Sequence, residues 1–104
     1  MAQFDVYRNA NPASSRVIPY LLEVQSDLLD VLATRVVAPL VLATEMGKTA
    51  RTLNPQFEIE GASVVMSASE IAGVPRRVLG EKVASLQHCS EEIIAALDLL
   101  FTGI

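Results

Sequence analysis

The single histidine, His88, stands beside the single cysteine, Cys89, the residue types of a thiolate nucleophile and its base. On a helix, adjacent side chains point about 100° apart, which is poor geometry for one to take the other's proton. The generic readings are a partly exposed helix residue for His88 and a small core residue for Cys89. A zinc site needs about four ligands, and neither Cys-x-x-Cys nor His-Glu-x-x-His spacing is present. Glu58 and Glu60 fall two apart on an alternating segment and would share one strand face. Paired acids on an exposed strand are usually solvated, not general acid and base. Gly80-Glu81-Lys82 lacks the upstream glycine of a phosphate-binding loop. Arg76-Arg77 could grip a phosphate or carboxylate but reads as a solvated loop. No catalytic constellation emerges, and no metal or cofactor is expected.

The elements that would position a site are short. Gln3 to Tyr7 alternates polar and apolar and predicts a half-buried strand. Arg8 to Arg16 is a loop by its Asn, Pro and Ser content. Tyr20 to Val24 predicts a second strand, broken by Gln25-Ser26-Asp27, with Leu28 and Leu29 on or beside that turn. Thr34 to Leu42 is β-branched and predicts a strand. Pro39 inside it argues for an edge position or a bulge. Ala43 to Asn54 is ambiguous between a polar loop and a loop that holds one helical turn. Phe57 to Glu60 and Ser63 to Ser67, joined at Gly61-Ala62, predict a hairpin. Ser67 and Glu70 have capping-box spacing, but no apolar stripe follows, so the segment is assigned to the sheet. Val78-Leu79 ends at Gly80, where a turn is expected. From Leu86 onward the period becomes helical: Cys89, Ile93, Ala96, Leu97 and Leu100 share one stripe, with Ile94 and Phe101 beside it. Glu91 and Glu92 suit the helix N-terminus, and Ser85 or Ser90 is the expected cap.

Composition bounds the rest. The 104 residues predict one domain, 1–104, and 51% of them are hydrophobic but only 5% aromatic, so Val, Ile, Leu and Ala must build the core. A net charge of -4 argues against direct, sequence-blind binding to nucleic acid. One cysteine excludes an internal disulfide and fits a reducing compartment. The start lacks a secretory pattern, and the longest apolar run, Val36 to Ala43, is too short to span a membrane. The expectation is a soluble, cytoplasmic protein with no membrane partner. The last helix carries apolar residues almost to Gly103-Ile104, an end that is either docked in the core or presented to a partner.

Five stretches in one register carry a resemblance. Gln3-Phe4-Asp5-Val6-Tyr7 resembles a Gln-Phe-x-Val-Tyr opening. Val24-Gln25-Ser26-Asp27-Leu28-Leu29-Asp30 resembles Val-Gln-Ser-Asp-Ile-Ile-Asp. Arg35-Val36-Val37-Ala38-Pro39-Leu40 resembles Arg-x-Val-Ile-Pro-Leu, and Ala72-Gly73-Val74-Pro75 resembles Ala-Ser-Val-Pro. Ile94 to Phe101 with Gly103-Ile104 resembles a terminal helix and its Gly-Ile end. The chain thus resembles the CcdB toxins of bacterial toxin–antitoxin systems. The resemblance implies a mainly β fold with a C-terminal α-helix, a small SH3-like barrel of CcdB/MazF type, homodimeric in the family.

It also implies a function. Family toxins bind the A subunit of DNA gyrase and trap the enzyme with its DNA cleaved, without catalysis of their own. A CcdA-like antitoxin strips the toxin from gyrase, and the two together repress their operon, with the antitoxin supplying the DNA contacts. Carried residue by residue, the gyrase-facing positions are Leu28, Leu29, Asp98, Phe101, Thr102, Gly103 and Ile104. Thr102 departs from the family pattern, in which Trp precedes Gly-Ile; a large flat anchor is missing there. Phe101 is either substitute aromatic area or core. Leu28 and Leu29 are either exposed anchors or plugs of the barrel end, and Asp98 is on generic grounds a solvated helix residue. The alternatives are a MazF-type endoribonuclease toxin, on fold analogy alone, and a relative that binds antitoxin but not gyrase.

Overall fold

The nine residues Thr34–Leu42 form the spine of the fold. A computed structural model of the chain describes residues 2–47 and 53–103. Its strands are β1 (Asp5–Asn9), β2 (Tyr20–Glu23), β3 (Thr34–Leu42), β4 (Gln56–Ile59), β5 (Ala62–Met66), β6 (Ala72–Pro75) and β7 (Leu79–Ser85), followed by helix α1 (Ser90–Thr102). All pairings are antiparallel, in the order β4-β5-β3-β2-β1-β7, with β6 also on β3. One edge of β3 is shared: its first half pairs with β6, from Thr34↔Pro75 to Val37↔Ala72, and its second half with β5, from Leu40↔Met66 to Leu42↔Val64. β2 takes the other edge. The result is a half-barrel sheet with one C-terminal helix, as the sequence predicts.

Neither setting expected for Pro39 is found: it is not on an edge strand, and the pairings of β3 carry no register shift at it. It lies in the central strand, opposite Leu21, at the break between the β6-paired and β5-paired halves. Its carbonyl accepts from the Ser67 amide at 2.9 Å. A strand residue's N–H and C=O point the same way, so the donor that proline lacks faces the gap where the chain leaves β5, and no ladder bond is lost.

Three boundaries also differ from the sequence reading. β1 begins at Asp5 because Phe4 has φ 71, a left-handed conformation costly for a bulky residue. Both of its backbone groups are bonded, the amide to Glu23 O at 2.7 Å and the carbonyl to Leu86 N at 2.8 Å, and its ring is buried. Ser67 to Glu70 is not sheet: a 3-10 turn spans Ala68–Glu70, and the Ser67 hydroxyl donates to Glu70 at 2.6 Å. Beyond Gly80 there is no turn but the seven-residue strand β7, paired with β1 through two register shifts. Those shifts interrupt the alternation that would have revealed it.

The predicted hairpin forms, but its two turn residues are Glu60 (φ 51) and Gly61 (φ 81), one residue before the expected Gly61-Ala62, and Ala62 opens β5. Positive φ at both is the geometry that matches strand twist. The helical stripe also forms. Ile93 and Ala96 are buried against Phe4, Leu22, Leu40, Met66 and Ala68, with Cys89, Leu97 and Leu100 partly buried around them. Glu91 and Glu92 lie in the first turn, but neither predicted serine caps the helix. Ser90 is already helical, and Ser85 Oγ accepts from the Gln87 amide at 3.3 Å. Of the 43–54 loop, residues 48–52 lie outside the described residues. No described helix is long and apolar enough to cross a membrane.

Candidate functional site

The segment joining β2 to β3 turns its apolar side chains outward. A 3-10 turn spans Asp27–Leu29, with Ser26 Oγ accepting from the Leu28 amide at 3.2 Å, as its Ser-Asp sequence favours. Leu28 and Val31 are each 91% exposed, and Leu29 and Leu32 are about half exposed. Barrel plugs would be buried, so the plugging alternative for Leu28 and Leu29 is set aside.

Beneath this loop lies a buried charge cluster that the sequence reading did not single out. Arg35 has no exposed surface, and Glu23 is almost as buried. The guanidinium donates from Nη2 to the Asp30 carbonyl and to Asp30 Oδ1, both at 2.7 Å, and from Nη1 to Leu32 O at 3.1 Å and Thr34 O at 3.2 Å. Its Nε is 3.8 Å from Glu23 Oε2, too long for a hydrogen bond, and Glu23 Oε1 has no protein partner. Burial pushes the Glu23 carboxyl above its ordinary range, and nearby Arg35 opposes that only in part. Burial, together with Asp5 and Glu23, raises the Tyr7 phenol to about 12; its hydroxyl lies 3.3 Å from Asp5 Oδ2. The one sequence signal for this cluster was charge on strands whose other residues are apolar: Glu23 after Leu21-Leu22 and Arg35 before Val36-Val37.

The other candidate positions sit at the end of α1. Phe101 is 69% exposed, which decides between its two readings: it is surface, not core. Asp98 is exposed, and so are Thr102 and Gly103. The Thr102 hydroxyl donates to the Asp98 carbonyl at 2.7 Å, and Gly103, at φ 72, donates its amide to Leu99 O at 2.9 Å. Glycine suits that left-handed capping position. Ile104 lies outside the described residues. Among the described residues no hydrogen bond or ion pair links 26–33 to 98–103.

The groups considered for catalysis stay apart. His88 is exposed, and burial with Glu92 nearby pushes the Cys89 thiol up, away from the thiolate a nucleophile needs. Glu60 has left its strand for the hairpin turn, where it accepts from Tyr20 Oη at 2.8 Å and pairs with Arg8 at 2.9 Å, while Glu58 stays on β4. Arg76 is not free in solvent: its Nη2 donates to the Asp30 carbonyl at 2.7 Å. No group of three or more His, Cys, Asp or Glu among the described residues could hold a metal ion.

Among solved structures, an endoribonuclease from mycobacterial species is similar with a TM-score of 0.66 at 18% identity, over 94% of this chain and 88% of that one. At such identity the likeness is one of fold. The family model described as CcdB protein matches residues 3–103, nearly the whole chain. With the half-barrel, the terminal helix and the outward apolar residues in place, the chain belongs to the CcdB family, toxins of toxin–antitoxin modules with an antitoxin as partner.

Proposed function

We propose that this chain binds the A subunit of DNA gyrase and holds the enzyme with its DNA cleaved, acting as a poison and not as an enzyme. The contact surface comprises Leu28, Leu29 and Phe101, the tail Thr102-Gly103-Ile104, and Asp98 at its border. The observation that carries this is the exposure of large apolar side chains, 91% for Leu28 and 69% for Phe101. Such residues are expensive to leave in water unless a partner covers them. Poisoning needs only differential affinity: a ligand that prefers the open, DNA-cleaved conformer shifts the population toward it by that difference.

The toxin acts as a homodimer, so that two copies of each patch meet a two-fold symmetric target. A CcdA-like antitoxin covers the same surface and, as the DNA-contacting member, completes operon repression. The toxin itself, at a net charge of -4, does not bind nucleic acid alone.

The test mixes the protein with supercoiled DNA, ATP and gyrase from the source organism, then denatures and scores linear DNA. Linear DNA that appears with the full chain and disappears without Gly103-Ile104 supports the reading. Its absence with active gyrase overturns it, and an RNA digest then tests the ribonuclease alternative.

A further inference from the structure

We infer that Arg76, with buried Arg35, is a positioning residue that holds the 27–33 loop in its binding-competent shape. The carbonyls of this loop are bound from below by side chains. Gln25 Nε2 donates to Leu29 O at 2.9 Å, Arg35 and Arg76 both donate to Asp30 O at 2.7 Å, and Arg35 donates to Leu32 O at 3.1 Å, where Arg76 also approaches to 3.5 Å. From the other side, Asp27 Oδ1 accepts the Gln3 amide at 2.7 Å. Holding the Leu29, Asp30 and Leu32 carbonyls inward fixes the backbone path of the loop, and on that path Leu28 and Val31 are each 91% exposed.

Left alone, an apolar loop of this kind would collapse onto its own Leu and Val side chains. A partner would then meet the outward shape only in the fraction of molecules that display it, and its apparent affinity would fall by that fraction. Arg76 reaches the loop from the short 3-10 turn Arg76–Val78 between β6 and β7, just past the Thr34↔Pro75 pair, so the end of β6 is tied to the display. Among the described residues its guanidinium hydrogen-bonds there only to backbone carbonyls. The effect on binding therefore runs through Leu28, Leu29, Val31 and Leu32, not through a contact of its own.

This rests on the gyrase reading for its partner but not for its geometry, and the experiment separates the two. Arg76→Gln and Arg76→Lys are each made in the full chain and in a Leu28→Ala/Leu29→Ala background. Three quantities are measured: amide hydrogen exchange over 27–33 in the free toxin, thermal unfolding, and affinity for the gyrase A subunit. Arg76→Gln is expected to speed exchange in 27–33 while leaving α1 unchanged and to weaken binding about three- to ten-fold. It should add nothing in the double-alanine background. Arg76→Lys, still a donor, should recover part of the loss. Unchanged loop exchange, or a loss of affinity that persists without Leu28 and Leu29, overturns the inference. If the parent chain does not bind gyrase, the functional reading fails by itself, and loop exchange alone then decides whether Arg76 positions the display.

Discussion

The Thr102 hydroxyl donates to the carbonyl of Asp98 at 2.7 Å, one helical turn back. The residue where the resemblance implies a tryptophan therefore uses its only polar side-chain group to close the helix end, while its side chain stays at an exposed position. The consequence is an open slot, not a filled one. Thr102→Trp should fold as well as the parent, because no neighbour has to yield, with stability changed by less than about 0.5 kcal/mol. It should raise gyrase-dependent DNA cleavage about ten-fold at equal protein, the scale of one aromatic anchor. Titrating linear DNA yield against both proteins, alongside thermal melts, checks this. Equal cleavage by both would mean that the partner contact does not pass through position 102.

Phe101 permits the converse test. A side chain with most of its surface in water contributes little to the folded state, so Phe101→Ala should leave the unfolding free energy within about 0.5 kcal/mol of the parent. If the helix end anchors gyrase, the same change should cost at least about 2 kcal/mol of binding, roughly thirty-fold in affinity. Denaturant melts and calorimetric titration with the gyrase A subunit give the two numbers. A large stability loss with unaltered affinity would return Phe101 to the core.

Much of this was legible in the sequence wherever one period ran undisturbed. Tyr20 to Glu23 and Thr34 to Leu42 follow from apolar and β-branched content, the hairpin around Gly61 from alternation, and the Ile93/Ala96 stripe from helical spacing. β7 was hidden because it pairs with β1 through two register shifts, so Leu79 to Ser85 shows neither a clean strand pattern nor a helical one. Pro39 misled because the rule that sends proline to edges assumes one partner per strand side, and β3 has two with a gap between them. The exposure of Leu28 and Phe101 could not be read at all, since a leucine in a turn and a phenylalanine at a helix end have the same local sequence whether docked or displayed. The Arg35–Asp30 anchorage spans five residues, but it required knowing that Arg35 points away from water.

The buried Glu23 carboxyl predicts a pH signature. Its ionisation is displaced upward by burial, so its contribution to stability is fully present below the ordinary carboxylate range and is lost as pH rises through the displaced value. Once ionised, the carboxylate is a buried charge whose Oε1 has no protein partner. Glu23→Gln removes the titration while keeping the shape. The stability of the variant relative to the parent should therefore increase as pH is raised from the acid range toward neutrality, whatever the offset between the two. Urea melts of both proteins across that range measure the difference. A flat difference would mean that Glu23 titrates at its ordinary value and that water reaches it.

Gly80 carries the last prediction. A Cβ built there would lie 3.0 Å from the Arg8 carbonyl oxygen and 3.2 Å from Arg8 Cβ. The obstacle is mainly backbone, so the neighbour cannot swing aside as a long side chain would. It lies at the shifted stretch of the β1–β7 pairing, next to Asn9↔Leu79. Arg8 in turn ties Glu60 of the hairpin and Glu81 of β7 at 2.9 and 3.2 Å, so displacing it disturbs both. Gly80→Ala should destabilise by about 1–3 kcal/mol, the usual cost of forcing extra volume into a closed contact. The expected reading is a lower urea midpoint with the slope of the transition unchanged, because the folded and unfolded states expose the same surface as before. Gly73→Ala, on β6 with nothing within 4 Å of the added methyl, is the control and should cost little or nothing. If the two variants unfold alike, the close approach of Gly80 to Arg8 is not what the glycine is there to permit.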